Sequence, residues 1–110
     1  MEVLDVIEQN TDKQVTLFSA LADPTRLKIV KLLHHKQFRG ALCVNAIAAI
    51  LGVTQSAVSQ HLRILKSIGL VKGDRHGYHI HYLINHDTWK QCHSIISTLL
   101  TIEEPSRRKK

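Results

Sequence analysis

Residues 48–66 read AAILGVTQSAVSQHLRILK and contain the most informative pattern of the sequence. Gly52 follows a short apolar helical run as a turn residue, at a position where a positive φ costs little. Thr54 is a typical helix N-cap, and Val58 and Leu62 are spaced to face back toward the preceding helix. The pattern predicts a helix-turn-helix, in which the second helix presents its N-terminal residues to a DNA major groove.

The outward face of this second helix carries hydrogen-bonding side chains of moderate length. An ordinary solvated helix face usually carries Glu and Lys pairs, but no acidic residue occurs between Leu51 and Gly73. Side chains of this kind read base edges or bind phosphates. We expect base or phosphate contacts from Gln55, Ser56, Ser59 and Gln60, with Thr54 beside them and Arg63 and Lys66 on the DNA backbone.

The periodicity changes after Gly69. Residues 70–74 and 78–84 are rich in β-branched and aromatic side chains and predict two strands, with a turn at residues 75–77. Basic residues cluster around that turn, which can then contact a phosphate or enter a minor groove. The predicted wing contacts are Lys72, Arg75 and His76.

The remaining segments predict helices. The first runs over residues 13–22 after a looser helical lead-in, and the second runs to about His35. Asp23 is the expected N-cap of the second helix, with Pro24 at its first position. Residues 43–51 form a short helix, and Asn85 or Asp87 caps the last one. The predicted fold is mainly α with a small β-hairpin, in the order α-α-α-α-β-β-α.

Length and composition favour some classes of protein function and argue against others. A chain of 110 residues with a net charge of +6 indicates one domain with a bias toward polyanionic partners. We expect a cytoplasmic protein that does not interact with membranes, because the N-terminus is acidic and no run of about eighteen apolar residues occurs. Two cysteines fit a reducing compartment. Without a Gly-rich phosphate loop, HExxH or CxxC motif, we expect no enzyme.

Three segments resemble one protein family. Residues 17–29, LFSALADPTRLKI, look like the entry segment of the ArsR/SmtB winged-helix repressors, residues 53–66 resemble their recognition helix, and residues 69–82 match their wing. The resemblance covers most of the chain, about residues 15–100. It implies a winged helix-turn-helix that binds double-stranded DNA at an imperfect operator palindrome and represses a nearby operon until an inducer binds.

The resemblance also implies a homodimer joined through the first and last helices. We accordingly divide the chain into a lead-in over residues 1–12, a winged helix-turn-helix over residues 13–101 and a basic tail over residues 102–110. The predicted dimer contacts are the large apolar side chains Phe18, Trp89, Ile95, Ile96, Leu99 and Leu100.

The sequence departs from the family where its members sense metals. One sensing site there is a cysteine pair before the third helix, but residues 42–46 read LCVNA, with Asn45 at the second cysteine position. The other lies on the last helix, where this chain has Asn85 and Asp87 and later Thr98 and Thr101. Threonine is a poor zinc ligand, and arsenite needs two or three thiolates. The usual zinc and arsenite ligand sets are incomplete, and the cofactor and inducer are unknown.

Three further hypotheses stay open. Cys43 and Cys92 are candidate sensor thiols, although packing as small apolar side chains is the simpler interpretation. His79 and His81 lie two apart on a strand and face the same side, so they are candidate metal ligands, although exposed polar side chains are the simpler interpretation. A winged-helix protein-interaction module without DNA sequence specificity is the alternative function. Loss of DNA binding as salt rises distinguishes the two functions.

Overall fold

A computed structural model describes residues 2–35 and 42–100 of the chain. Within these ranges the order of elements is helix, helix, helix, helix, helix, strand, strand, helix. The helices and strands are α1 (Glu2–Glu8), α2 (Thr11–Leu21), α3 (Pro24–His34), α4 (Val44–Leu51), α5 (Gln55–Ser67), β1 (Val71–His76), β2 (His79–Ile84) and α6 (His86–Leu100). The predicted winged helix-turn-helix is confirmed, with α1 as an additional helix before it. The basic tail lies outside the described residues.

The N-terminal lead-in is a helix of its own. It ends before Asn10, which adopts a left-handed conformation with φ 64° and separates α1 from α2. None of the α1 residues is buried within the protomer. The next helix begins at Thr11, so the predicted start of the winged-helix unit at residue 13 lies two residues inside α2.

The start of α3 follows the sequence prediction. A carboxylate oxygen of Asp23 accepts a hydrogen bond from the backbone N–H of Arg26 at 2.9 Å, and Pro24 occupies the first helical position. This arrangement satisfies one of the free N–H groups of the first turn, and the proline has no N–H to leave unpaired. Asp23 therefore marks the start of α3.

The helix-turn-helix is built as predicted. The α4 helix ends at Gly52, which has φ 71°, and its N–H donates to the carbonyl oxygen of Ala48 at 2.9 Å. Thr54 then caps α5, because its hydroxyl accepts the N–H of Ala57 at 3.1 Å. Gly52 is suited to the left-handed turn, where a β-carbon would be strained.

The hairpin turn is shorter than predicted and lies later in the chain. The β1 and β2 strands pair antiparallel with His76 opposite His79, so the turn consists of Gly77 and Tyr78. The positive φ of 66° at Gly77 fits the first position of a type II′ turn, whose twist matches the paired strands. Arg75 and His76 therefore belong to β1, and the predicted turn at residues 75–77 was wrong.

The core lies where α3, α4, α5, the hairpin and α6 meet. The Trp89 side chain closes one side of it, because its indole N–H donates to the carbonyl oxygen of Leu70 at 2.9 Å. Leu42 pairs with Tyr82 as an isolated bridge on the outer edge of β2. The buried cluster contains Leu17, Ile29, Val30, Leu33, Leu42, Ile47, Ala48, Val58, Leu62, Leu65, Leu70, Val71, Ile84 and Cys92. Across residues 2–35 and 42–100, no helix is long and apolar enough to cross a membrane.

Candidate DNA interface

The two faces of α5 differ sharply. Val58, Leu62 and Leu65 are at most 1% exposed and anchor the helix in the core. Five predicted DNA-contacting residues, four expected at base edges or phosphates and one on the DNA backbone, are all exposed on the outward side of the helix. Their side chains make no hydrogen bond to any other described residue, so their donors and acceptors are available to a partner. These residues are Gln55, Ser56, Ser59, Gln60 and Arg63.

The start of α5 is electrostatically suited to a polyanion. The free N–H groups of a helix N-terminus and its macrodipole favour negative charge there. The helix has no acidic residue in its first turn, and Lys66 lies in its last turn. The hydroxyl of Thr54 accepts the capping hydrogen bond, but its own proton is still free to be donated. A phosphate at this end would meet no repelling charge from α5.

The wing places its basic residues at different heights and on different faces. Lys72 is opposite Leu83 near the base of the hairpin, whereas Arg75 is opposite Ile80 near its tip. Successive residues of a strand point to opposite faces. Lys72 and His76 therefore share one face and Arg75 lies on the other, so the predicted cluster of all three around the turn was wrong. All three side chains are exposed.

His76 and Arg75 differ in their surroundings. The Nε2 atom of His76 is 3.3 Å from a carboxylate oxygen of Asp74, and its ring stacks on His81 with centroids 4.7 Å apart. Arg75 makes no hydrogen bond or ion pair with any other described residue. Its charge is therefore available in full to a phosphate, whereas the nearby Asp74 carboxylate offsets part of any charge on His76.

The histidines do not form a metal centre within the described ranges. His79 and His81 lie on the same face of the hairpin as each other, as their spacing predicts, and His81 is paired opposite Asp74. Even so, no group of three or more His, Cys, Asp or Glu side chains in residues 2–35 and 42–100 is placed to hold a metal ion.

The two candidate sensor thiols lie in different environments. Cys43 is partly buried at the N-cap position of α4, and Cys92 is buried in the core on α6; both are free thiols. Burial raises the pKa of the Cys92 thiol, which favours the protonated and less nucleophilic form. Asn45 and Thr98 at the family's ligand positions are exposed, and Thr101 lies outside the described residues.

An apolar surface lies on the side of α6 that faces away from the core. Leu99 and Leu100 are 57% and 77% exposed, and Phe18 and Ile96 are also exposed. A groove of about 780 Å³ between α2, the end of α5 and α6 adjoins this surface and includes Ile95 in its lining. Trp89 differs from the other predicted dimer contacts, because it is partly buried in its own protomer and packs edge-on against His34.

One polar cluster was missed in the sequence. Arg26 of α3 donates from Nε to the carbonyl oxygen of Ala20 in α2 at 2.6 Å, and its NH1 atom is 3.3 Å from Nδ1 of His61 in α5. The same Nδ1 atom is 3.9 Å from a carboxylate oxygen of Asp23. His61 is 35 positions from Arg26 in the chain, so no local spacing signal could have revealed the contact.

The charge of Asp23 is stabilised in this cluster. The pKa of its carboxyl group is lowered mainly by the hydrogen bond from the Arg26 backbone N–H, against a smaller opposing effect of burial. Attraction to the Arg26 guanidinium and to His61 lowers the pKa further. The folded state therefore favours the ionised carboxylate.

A substitution of this cap has an expected pH dependence. Asp23→Ser keeps a capping oxygen and removes the charge. Because the folded pKa is depressed, the stabilisation by the charge is complete above the unfolded pKa of about 3.9 and is lost as the pH falls through the folded value. Urea unfolding should show the wild type as the more stable protein at pH 7, with the difference closing below about pH 4. A difference that stays constant with pH would contradict this account of the cap.

Comparisons with known proteins agree with this geometry. Residues 23–72 match the arsR family of bacterial regulatory proteins. The chain is 34% identical over 87 residues to a homologue of the cadmium resistance transcriptional regulatory protein CadC from Staphylococcus aureus, covering 79% of this chain and 69% of that protein. It is 48% identical over 65 residues to a homologue of the transcriptional repressor SmtB from Synechocystis, covering 59% of this chain and 46% of the relative.

A solved structure supports the same assignment. The homodimeric winged helix-turn-helix DNA-binding domain of a possible ArsR-family transcriptional regulator from Mycobacterium bovis superposes with a TM-score of 0.64 at 31% identity. The match covers 80% of this chain and 78% of that domain. The chain belongs to the ArsR family of bacterial regulatory proteins and is a DNA-binding transcription regulator with a winged helix-turn-helix.

Proposed function

We propose that this protein is a cytoplasmic repressor that binds an imperfect operator palindrome as a homodimer. The observation that carries the proposal is the contrast between the two faces of α5. Its inner face is apolar and buried, and the polar side chains of its outward face are exposed and have no partner among the described residues. In a dimer, two such helices enter successive major grooves about one helical turn apart. The repressor direction is supported by the name of the SmtB homologue.

Within this proposal the two contact elements have different roles. Gln60 and its neighbours Gln55, Ser56 and Ser59 reach base edges or phosphates from the first turns of α5, which is the part of a recognition helix that lies in the groove. Arg63 and Lys66 contact the backbone beyond it, with Thr54 at the helix start. Lys72, Arg75 and His76 of the wing contribute charge, which adds affinity on any sequence.

We further propose that the dimer forms through α2 and α6, with the partner covering the groove between them. Leu99 and Leu100 are among the most exposed apolar side chains of the folded unit, and such continuous apolar patches usually mark an interface. The exposed apolar residues of α1 directly precede α2 in the chain. Phe18, Ile95 and Ile96 complete the proposed contact, and Trp89 contributes only the part of its ring left open in its own protomer.

We propose Cys43 and Cys92 as the candidate thiols through which an inducer would release the protein from DNA. A thiol oxidant that acted on them would need access to Cys92, which the core restricts. If a Cys43→Ser, Cys92→Ser double variant bound the operator as the wild type does and kept the same response to an oxidant, neither thiol would be the sensor. Because one relative is named as a homologue of a cadmium resistance regulator, the response of operator binding to cadmium should be measured alongside the response to an oxidant.

Fluorescence anisotropy on the DNA upstream of the protein's own gene tests the proposal. Binding should be tight and should weaken steeply as salt rises, because each phosphate contact releases a counterion. A scrambled fragment of equal length serves as the control and should bind more weakly by at least about a thousandfold. Equal binding to both fragments, or salt-insensitive binding to a protein partner instead, would favour an interaction module.

A further inference from the structure

The Arg26 side chain connects three elements of the fold. Its Nε donates to the Ala20 carbonyl oxygen at 2.6 Å, which lies in the last turn of α2, and its NH1 approaches Nδ1 of His61 at 3.3 Å in the middle of α5. Its own backbone N–H is held by Asp23 at 2.9 Å. One guanidinium therefore links α2 directly to the recognition helix.

The proton positions follow from the donor chemistry. A guanidinium only donates hydrogen bonds and stays charged at every pH at which the protein folds. In this hydrogen bond Nδ1 of His61 is therefore the acceptor, since the guanidinium has no acceptor atom to offer. A carboxylate oxygen of Asp23 is 3.9 Å from the same Nδ1 atom, so the guanidinium of Arg26, at 3.3 Å, is its closer partner.

The link has a mechanical effect that apolar packing lacks. Val58, Leu62 and Leu65 bury the inner face of α5, but contacts between aliphatic side chains are not directional and tolerate small rotations or shifts of a helix. A hydrogen bond depends steeply on distance and angle. The contact to His61 lies one residue after Gln60, so it fixes the orientation of the helix at the position proposed to read bases.

We propose that His61 is a positioning residue for DNA recognition, which acts through Arg26 to hold α5 at a fixed angle to α2. The proposal rests on the proposed function, because α2 is there a dimer helix and α5 the reading helix. The Ala20–Arg26–His61 chain of hydrogen bonds then sets the distance between the two recognition helices of a dimer. Its consequence is a preference for one half-site spacing in the operator.

The facing groups support a role in orientation. His61 and Asp23 are partly buried, with side chains 22% and 30% exposed, so the cluster lies at the edge of the core. The charged side chains that contact His61 are Arg26 and Asp23, both from the α2–α3 corner. From α4, which also packs against α5, no titratable side chain is available, since that helix reads VNAIAAIL.

The experiment uses a palindrome recovered from random DNA with the wild-type protein, together with versions whose half-sites are one base pair closer or further apart. His61→Leu removes the acceptor at similar size, and His61→Asn retains an acceptor, since an asparagine carbonyl oxygen stands near the position of Nδ1. Arg26→Lys keeps the charge but cannot reach Ala20 and His61 at once. Thermal unfolding of each variant shows that it is folded.

We expect His61→Leu and Arg26→Lys to bind the best-spaced palindrome about tenfold more weakly and to lose the spacing preference. Binding to random DNA should stay within about twofold, and His61→Asn should bind nearly as the wild type does.

The measurements distinguish failure of this inference from failure of the proposed function. An unchanged spacing preference in both His61→Leu and Arg26→Lys would overturn the inference and leave the proposed function intact. Equal loss on palindromic and random DNA, without rescue by His61→Asn, would also overturn it and indicate a purely structural role. If the wild type itself showed no preference for any palindrome, the proposed function would fail, and this inference with it.

Discussion

A Leu99→Glu protein is expected to be a monomer that binds the operator about a hundredfold more weakly than the wild type. Leu99 is 57% exposed and lies outside the buried cluster, so a glutamate there should leave the protomer folded. In the proposed dimer the same side chain faces the partner, and two charges brought together in an apolar interface repel and are poorly solvated. One protomer alone then loses the gain in affinity from binding two linked half-sites.

Analytical ultracentrifugation and anisotropy together measure this effect. His93→Glu is the matched control, because it places the same charge on an exposed position of the same helix, outside the groove lining. The control should remain a dimer with operator binding close to that of the wild type. A dimeric Leu99→Glu protein with normal operator affinity would contradict the proposed interface.

Two substitutions distinguish base recognition by α5 from the general electrostatic attraction of the wing to DNA. Gln60→Ala should lower the ratio of operator to random-DNA affinity by about tenfold or more, because removing a base contact costs about 1–3 kcal/mol at each half-site. Arg75→Ala should weaken binding to both DNAs alike, since a phosphate contact carries no sequence information. The same Arg75→Ala change should reduce the slope of log affinity against log salt by about one for each phosphate that the arginine binds.

These two variants serve as controls for each other in the same titrations. Both side chains are exposed and make no hydrogen bond to another described residue, so neither substitution should affect folding. Equal losses on specific and random DNA for both variants would contradict the division between a reading helix and an electrostatic wing.

Local chemistry explains why the helix boundaries near the core could be predicted. Asp23 with Pro24, and Gly52 with Thr54, are short-range signals whose geometry depends on a few neighbouring residues. The structure shows each of them in the predicted role. The buried face of α5 was equally readable, because Val58 and Leu62 repeat with the helical period.

Other features could not be read from local patterns. Arg75 and His76 fit a strand as well as a turn, and only pairing of His76 with His79 assigns them to β1. The break at Asn10 falls among the polar residues that interrupt the apolar spacing of the lead-in, but the start of α2 at Thr11 rather than at residue 13 could not be read from that pattern. The Arg26–His61 contact joins residues far apart in the chain and depends on the tertiary fold.

Selection of binding sites from random-sequence DNA by the wild-type protein tests whether a dimer reads DNA through α5. We expect inverted repeats whose half-site centres lie about 10 base pairs, one helical turn, or a multiple of it apart. One dimer should occupy each recovered site, and the strongest enrichment should fall at the bases beneath α5. Failure to enrich any sequence, or enrichment of single half-sites each bound by one protomer, would contradict the claim that a dimer reads DNA through this helix.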